Sequence, residues 1–342
     1  MAQLPEPLLS LLPAAKAHVG DILTHAMQHG PGRRALVVSD GSSGLARILA
    51  EAYRQCLPDA VHLSFESVPA AEILAAFSAL EAGALVVLIQ STNFRLGEFR
   101  IRVELFKQGL KVIEHPHLAR MPEPEYAAYI DALAYDPAYY RGVGAELKRR
   151  IDSAPGAVVH SGGESLVYDS AFEPAKLNVG DYSSLPNVGG QFPIGEVFTE
   201  PLDLQRVNGK VRIFVFGDVD FRVNVPSTPI CLEIALGKVV NVFDSTPDFD
   251  RVIAQIKAEE EVWIRELGFG MNRALTPERR VSDIGTYERM CGIHLSLGAK
   301  HGVYAKPGLS RRHSRFHVDV FAVTETVTLG ADTVFRDGQW RV

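Results

Sequence analysis

The sequence predicts an α/β plus α+β protein of two domains: an N-terminal, Rossmann-like doubly wound parallel-sheet domain over residues 1–152, and a C-terminal β-rich domain over residues 153–342. Three observations predict it. In the first half, short continuous apolar runs alternate with helical stretches, the pattern of parallel strands covered on both faces. After Pro155 that pattern gives way to short strand-like runs separated by Gly, Pro, Asn and Asp, as in antiparallel sheet. The chain of 342 residues is also long enough for two domains of ordinary size.

In chain order, a helix is expected from about Pro7 to His29, ended by Gly30-Pro31-Gly32. An apolar strand from Ala35 runs to Asp40, then through Gly41-Ser42-Ser43-Gly44 into a helix starting at Leu45. The unit recurs with a strand at 60–65, a helix at 69–82, a strand at 84–89, a helix at 97–109 and a strand at 111–113. The Asp40–Gly44 turn lacks both GxGxxG and GxxxxGK[ST], so a capped Gly/Ser turn is expected rather than a dinucleotide site. Ser91-Thr92-Asn93 follows the third strand, at the carboxyl end where open sheets place ligands, and a capped turn is expected there too. His115-Pro116-His117 reads as a surface loop, and residues 123–152 as a helical connector. In the second half, strands are expected at 157–160, 165–168, 211–216, 230–234 and 239–243, with one helix at 247–262. Asn208-Gly209 and Asp337-Gly338 are two-residue hairpin turn signals.

Composition narrows the function. The formal charge is −6 and basic residues do not mass on one segment, which disfavours nucleic-acid binding. Cys56, Cys231 and Cys291 show no CxxC spacing, so neither a disulfide framework nor a thiolate zinc site is expected. No apolar run approaches a membrane span. The start MAQLPEPLLSLL lacks the marks of a signal peptide, and a cytoplasmic location is expected.

The last quarter carries the candidate chemistry. Glu266, Glu288, His294, His317 and Asp319 each stand beside or inside a short apolar run. In a strand, residues i and i+2 leave the same face, so His317 and Asp319 project together, as a metal ion needs, while Val318 points the other way. A buried, merely hydrogen-bonded His–Asp pair would look the same. Upstream, glycines and a proline fix an irregular backbone from Asn187 to Pro201, which delivers Glu196.

Four phrases together resemble the M29 (thermophilic) aminopeptidase family. GEVFTEP, at Gly195–Pro201, is similar to the family's GEVFTAP; ELGFGMN, the E-then-HxxLG pattern of YERMCGIHLSLG, and the closing HVD also match. The family order Glu, Glu, Glu, His, His-x-Asp is met by Glu196, Glu266, Glu288, His294, His317 and Asp319. The resemblance implies a metal centre in the C-terminal domain that activates water against a peptide or amide bond, with two divalent ions and a homodimer. Glu196, His294, His317 and Asp319 are then ligands, and Glu266 and Glu288 are each a ligand or the general base. Carboxylates and imidazoles without thiolate suit Zn, Co, Mn or Fe(II). Where the family has a Tyr seven residues after the HxxLG histidine, this chain has His301, with Tyr304 three further on; the Glu288-to-His294 spacing is one longer than expected. His301, Tyr304, Arg311 and Arg315 are the candidate substrate contacts, the two arginines for the carboxylate of a small or short-peptide substrate.

The shorter chain also resembles a sister group, the 2,5-dihydroxypyridine 5,6-dioxygenases, which imply one Fe(II) held by two histidines and a carboxylate. A His is expected there where this chain has Glu266, so a metallo-hydrolase is the first reading and a ring-cleaving dioxygenase the second. A non-catalytic small-molecule binding protein on the same fold is the third.

Overall fold

The computed structural model describes residues 5–342. The chain divides into two compact units. The first holds the residues up to Pro137 together with Gly180–Ile194 and Val281–Asp283. The second holds Ala138–Val179, Gly195–Arg280 and Ile284–Val342. The helix Pro137–Ser153, read from sequence as a connector, lies in the second unit from Ala138 onward.

In the first unit the apolar runs become parallel strands in the order Val61–Ser64, Ala35–Ser39, Leu85–Ile89, Lys111–His115 and Gly189–Gln191. The second and third of these are buried along their whole length, which is why their sequences show no polar alternation. Ile73, Phe77 and Leu105 from the helices pack with Val38, Val86 and Leu88 of the sheet. Full burial of each such side chain is worth about 1.5–3 kcal/mol. The expected first helix is broken into Glu6–Leu9 and Leu12–Asp21, followed by a π-helical turn at Ile22–Ala26. Pro13 sits in the first turn of the second piece, where a proline has no N–H to continue an earlier helix.

The turn after the first strand is a helix cap, as read. Ser43 Oγ accepts from the Ala46 N–H at 3.1 Å, and Asp40 Oδ2 accepts from the Ser91 N–H at 2.8 Å. His115 departs from the expected surface loop. It ends a strand, is fully buried, and lies 2.8 Å from the Tyr53 hydroxyl and 2.9 Å from that of Tyr129. Burial without a charged partner pushes its imidazole down to about 3.

The second unit is built on antiparallel sheet, with fourteen strands among the described residues. Its central neighbours, in order, are Val207–Gly217, Val318–Ala322, Gly292–Leu297, Ile264–Gly270 and Glu196–Thr199. The C-terminal hairpin signal is borne out: Asp337 (φ 53°) and Gly338 (φ 70°) join Asp332–Arg336 to Gln339–Trp340. The Asn208-Gly209 signal is not. Both residues lie within the strand Val207–Gly217. Gly209 is needed for close approach instead: at φ 121°, a Cβ there would lie 2.2 Å from the Ser165 carbonyl oxygen of the adjoining strand.

Candidate metal centre

Strand register brings the acids together. Directly opposed residues share a face of a sheet, as do i and i+2 along one strand. Glu196 opposes Gly270, His294 opposes Gly268, and Asp319 opposes Ser296. Glu266 is in step with Gly268 and Gly270. Glu196, Glu266, His294 and Asp319 therefore leave one face of four adjacent strands. A register shift between Ile264 and Leu267 inserts one extra residue there, a β-bulge that breaks the alternation at Arg265-Glu266. The Glu266 N–H is satisfied by Ser296 Oγ at 3.0 Å.

The strands carrying Glu266, His294 and Asp319 are buried throughout, so each charge on them needs a partner. His294 Nε2 lies 3.2 Å from Glu196 Oε1 and 3.3 Å from Glu266 Oε1. Donor atoms of these three residues all fall within 4.8 Å of one another, and the group can hold a metal ion. His317 stands one residue before its strand, 28% exposed, with Nε2 3.1 Å from Asp319 Oδ1. Its Nδ1–H donates to the Lys300 carbonyl at 3.1 Å, which orients the ring with Nε2 toward Asp319, the arrangement of a metal-ligating histidine.

Electrostatics ties the two groups into one centre. Burial raises the Glu288 carboxyl well above its ordinary value; Asp319 and Glu196 add to this, against Arg289. Burial also opposes ionisation of Glu266, but hydrogen bonds from His294 and His301 hold its carboxyl well below the usual range. His294 is lifted well above 6.5: burial works against its charge, and Glu196 and Glu266 outweigh it. The donor chemistry fits a divalent ion. It is all carboxylate and imidazole, and the donors of the buried Glu196, Glu266 and His294 gather within 4.8 Å of one another.

The remaining candidates are placed as follows. His301 is buried, with Nε2 2.8 Å from Glu266 Oε2 and Nδ1 3.0 Å from Glu200 Oε1. Tyr304 stacks on His301, and its hydroxyl donates to the Pro174 carbonyl at 2.7 Å. Arg311 lines a cavity of about 210 Å³ with His301, Lys300 and Tyr304. Arg315 is exposed and pairs with Glu259 at 2.7 Å.

Several participants were not singled out from the sequence. Arg289, 6% exposed, pairs with Glu196 at 3.2 Å and closely with Glu288. Behind His301, buried Glu200 pairs with Arg265 at 2.9 Å, and Lys306 bonds Glu173 at 2.7 Å.

Fold and site together define a two-unit α/β protein with a buried carboxylate–imidazole centre on its antiparallel sheet. Among solved structures the chain is similar to wild-type AmpT from Thermus thermophilus, with a TM-score of 0.55 and 14% identity, covering 96% of this chain and 99% of that one. That likeness is one of fold. No protein-family model and no curated protein sequence matches the chain. Among the described residues, no helix is long and apolar enough to cross a membrane.

Proposed function

We propose that this protein is a metal-dependent hydrolase of peptide or amide bonds in small substrates, similar in chemistry to the M29 aminopeptidases that its motifs resemble. The observation that carries this reading is the convergence of Glu196, Glu266 and His294 within 4.8 Å. The likeness of fold to AmpT supports it. Glu196, Glu266 and His294 would hold a divalent ion, with His317 and Asp319 beside them. A bound ion of this kind lowers the pKa of a ligated water and polarises a carbonyl oxygen.

The chain's own groups do the rest. Glu288, whose carboxyl burial pushes above its ordinary value, would carry a proton from the attacking water to the leaving amine. His301 orients the Glu266 carboxylate from behind. Burial of the strands that carry Glu266, His294 and Asp319 excludes bulk water from those charges.

The test is amine release from aminoacyl and dipeptide substrates by the chain loaded with Zn, Co or Mn. Glu288→Gln is expected to lower kcat by about 10²–10⁴-fold while the ion is retained. No amine release with any of the three ions removes the reading. Oxygen uptake on 2,5-dihydroxypyridine by the Fe(II)-loaded chain would put the dioxygenase reading in its place.

The arginines make a second, separable prediction for an anionic substrate. Arg311 borders the cavity beside His301 and donates a long bond, 3.5 Å, to the Val303 carbonyl. Arg311→Ala is expected to raise KM by about 10–100-fold, the loss of a hydrogen bond to a charged group. Arg315 is held by Glu259 at the surface, so Arg315→Ala is expected to leave KM unchanged. Steady-state kinetics of both variants checks this, and an unchanged KM for Arg311→Ala removes its role.

A further inference from the structure

We propose that the first unit carries a ligand site of its own: a cavity at the carboxyl ends of the strands Ala35–Ser39 and Val61–Ser64 that takes a small zwitterion with an apolar body, a free amino acid or a short peptide. None of its residues is a candidate metal ligand, so the inference goes beyond the hydrolase reading and does not depend on it.

The cavity holds about 610 Å³, inside the usual range of about 300–1,000 Å³ for small-molecule sites. Ser39 and Ser64, which end the two strands and oppose each other in the sheet, both line it. Open parallel sheets place their ligands outside such strand ends. The helix Gly44–Cys56 contributes Arg47, Ala50, Glu51 and Arg54, which at spacings of three and four residues share one helix face. Leu9 and Leu12, each only half-buried, supply an apolar wall.

Charge decides what fits. Five charged side chains line the cavity: Asp40, Arg47, Glu51, Arg54 and Glu66. Arg54 Nη1 lies 2.7 Å from Glu51 Oε2, so these two offset each other. Asp40 is buried and already engaged. Its Oδ2 accepts from the Ser91 N–H at 2.8 Å, and its Oδ1 accepts from the Ser42 N–H at 3.2 Å and from the Ser91 hydroxyl. Two charges are left. The Arg47 guanidinium has no hydrogen bond or ion pair among the described residues, and its Nε is buried without a partner. A buried donor in that state calls for an acceptor from outside the chain. Glu66 accepts only from neutral groups, the Ser42 hydroxyl at 2.6 Å and the Gly41 N–H at 3.4 Å.

A simple anion would meet Arg47 but would also face Asp40 and Glu66. A simple cation would meet Glu66 and leave Arg47 as it is. A zwitterion satisfies both, with its carboxylate on the planar fork of Arg47, its ammonium on Glu66, and its side chain against Leu9 and Leu12. Phosphate at the helix N-terminus is a poorer fit, because that end is already closed. The Ala46 N–H donates to Ser43 Oγ at 3.1 Å, and the Ser43 N–H donates to Ser91 Oγ at 3.0 Å.

The test is calorimetric titration of the full-length chain with L-leucine, as purified and again after a chelator has removed any ion. Two analogues each remove one charge: leucinamide lacks the carboxylate and N-acetyl-L-leucine lacks the ammonium. Leucine is expected to bind equally with and without the ion, and more tightly than either analogue. Arg47→Met is expected to weaken leucine by about 10–100-fold, the loss of a hydrogen-bonded charge. Glu66→Gln, at an exposed position, is expected to weaken it by about 2–5-fold. No binding of leucine up to about 10 mM overturns the inference, and so does leucine binding that Arg47→Met leaves unchanged. An analogue that binds as tightly as leucine, or displacement of leucine by inorganic phosphate, overturns the ligand class. If Arg47→Met does not fold, the two analogues on the wild type still decide.

Discussion

Replacing Gly268 by alanine is expected to cost the chain its ion binding and about 1–3 kcal/mol of stability, the usual range for overpacking a close-packed interior. Gly268 directly opposes His294 in the sheet. A Cβ on Gly268 would lie 2.0 Å from His294 Cε1 and 2.1 Å from Nε2. The backbone of Gly268 is not in the left-handed region, so alanine strains nothing of its own; the damage falls on the imidazole. The ring is 1% exposed and packs against Phe321 at 5.8 Å between centroids, so it can move only by disturbing its neighbours. A ligand set tolerates displacements of only a few tenths of an ångström. The affinity for Mn(II) is therefore expected to fall by about 100-fold, the upper end of what losing a supporting group costs. Titration calorimetry and chemical denaturation measure the two effects. Gly142, exposed in a helix with nothing within 4 Å of a built Cβ, is the control. Gly142→Ala is expected to stabilise by about 0.5–1 kcal/mol and leave binding alone. Wild-type affinity in Gly268→Ala would mean that the His294 ring is not a ligand.

How much of this centre was legible in the sequence follows from the range of each interaction. The period of a strand is local, so His317 and Asp319 can be read from it; Glu196, expected on an irregular stretch, instead opens the strand Glu196–Thr199, and Glu266 and His294 are legible through the motifs that the family resemblance rests on. The parallel strands of the first unit were legible for the same reason, since continuous burial leaves no polar residue in Leu85–Ile89. Register between strands is not local. Asn208-Gly209 has the composition of a hairpin turn, and only the approach of the Ser165 carbonyl shows why a glycine is required within a strand. His115 departs from the surface-loop reading because its two tyrosine partners lie 62 and 14 residues away. Arg289 sat beside Glu288 in plain view, but nothing local says that a charged side chain turns inward. The case of Glu200 and His301 is more instructive. Glu200 stands where the GEVFTAP signature has alanine, and His301 where the family has tyrosine. Their side chains come within 3.0 Å. Two departures from a pattern can answer each other across a fold, and neither has a meaning when read singly.

Without metal, the protein is expected to lose stability as the pH rises from about 6.5 toward 10, while the ion-loaded protein does not, so the gap between their melting temperatures widens with pH. Burial disfavours the charged His317 ring, but Asp319 outweighs it and lifts His317 from 6.5 to about 10. His294 is raised in the same direction by Glu196 and Glu266. A group whose folded pKa lies above its unfolded value stabilises fully below the unfolded value, and the contribution fades as pH climbs through the folded one. Glu266 has the opposite sign: held below 4.5, its contribution is present above that value and is lost on the acid side. The imidazoles and Glu266 together therefore contribute most between 4.5 and 6.5, while Glu288, raised above its ordinary value, takes stability away as the pH climbs past that value. An ion must displace the protons from the imidazoles it binds, so each displaced proton weakens apparent affinity by about tenfold per pH unit below that group's pKa. Ion at a hundredfold excess over Kd adds about 2.7 kcal/mol, and this gain shrinks as the pH falls and Kd rises. Calorimetric melts of chelator-stripped and Mn(II)-loaded protein at about pH 6, 7, 8 and 9 measure the gap. Titrations in buffers of different ionisation heat count the protons released. A gap that stays constant across this range, with no proton release, would mean that neither imidazole gives way to the ion, and would leave the carboxylates to hold it without His294 or His317.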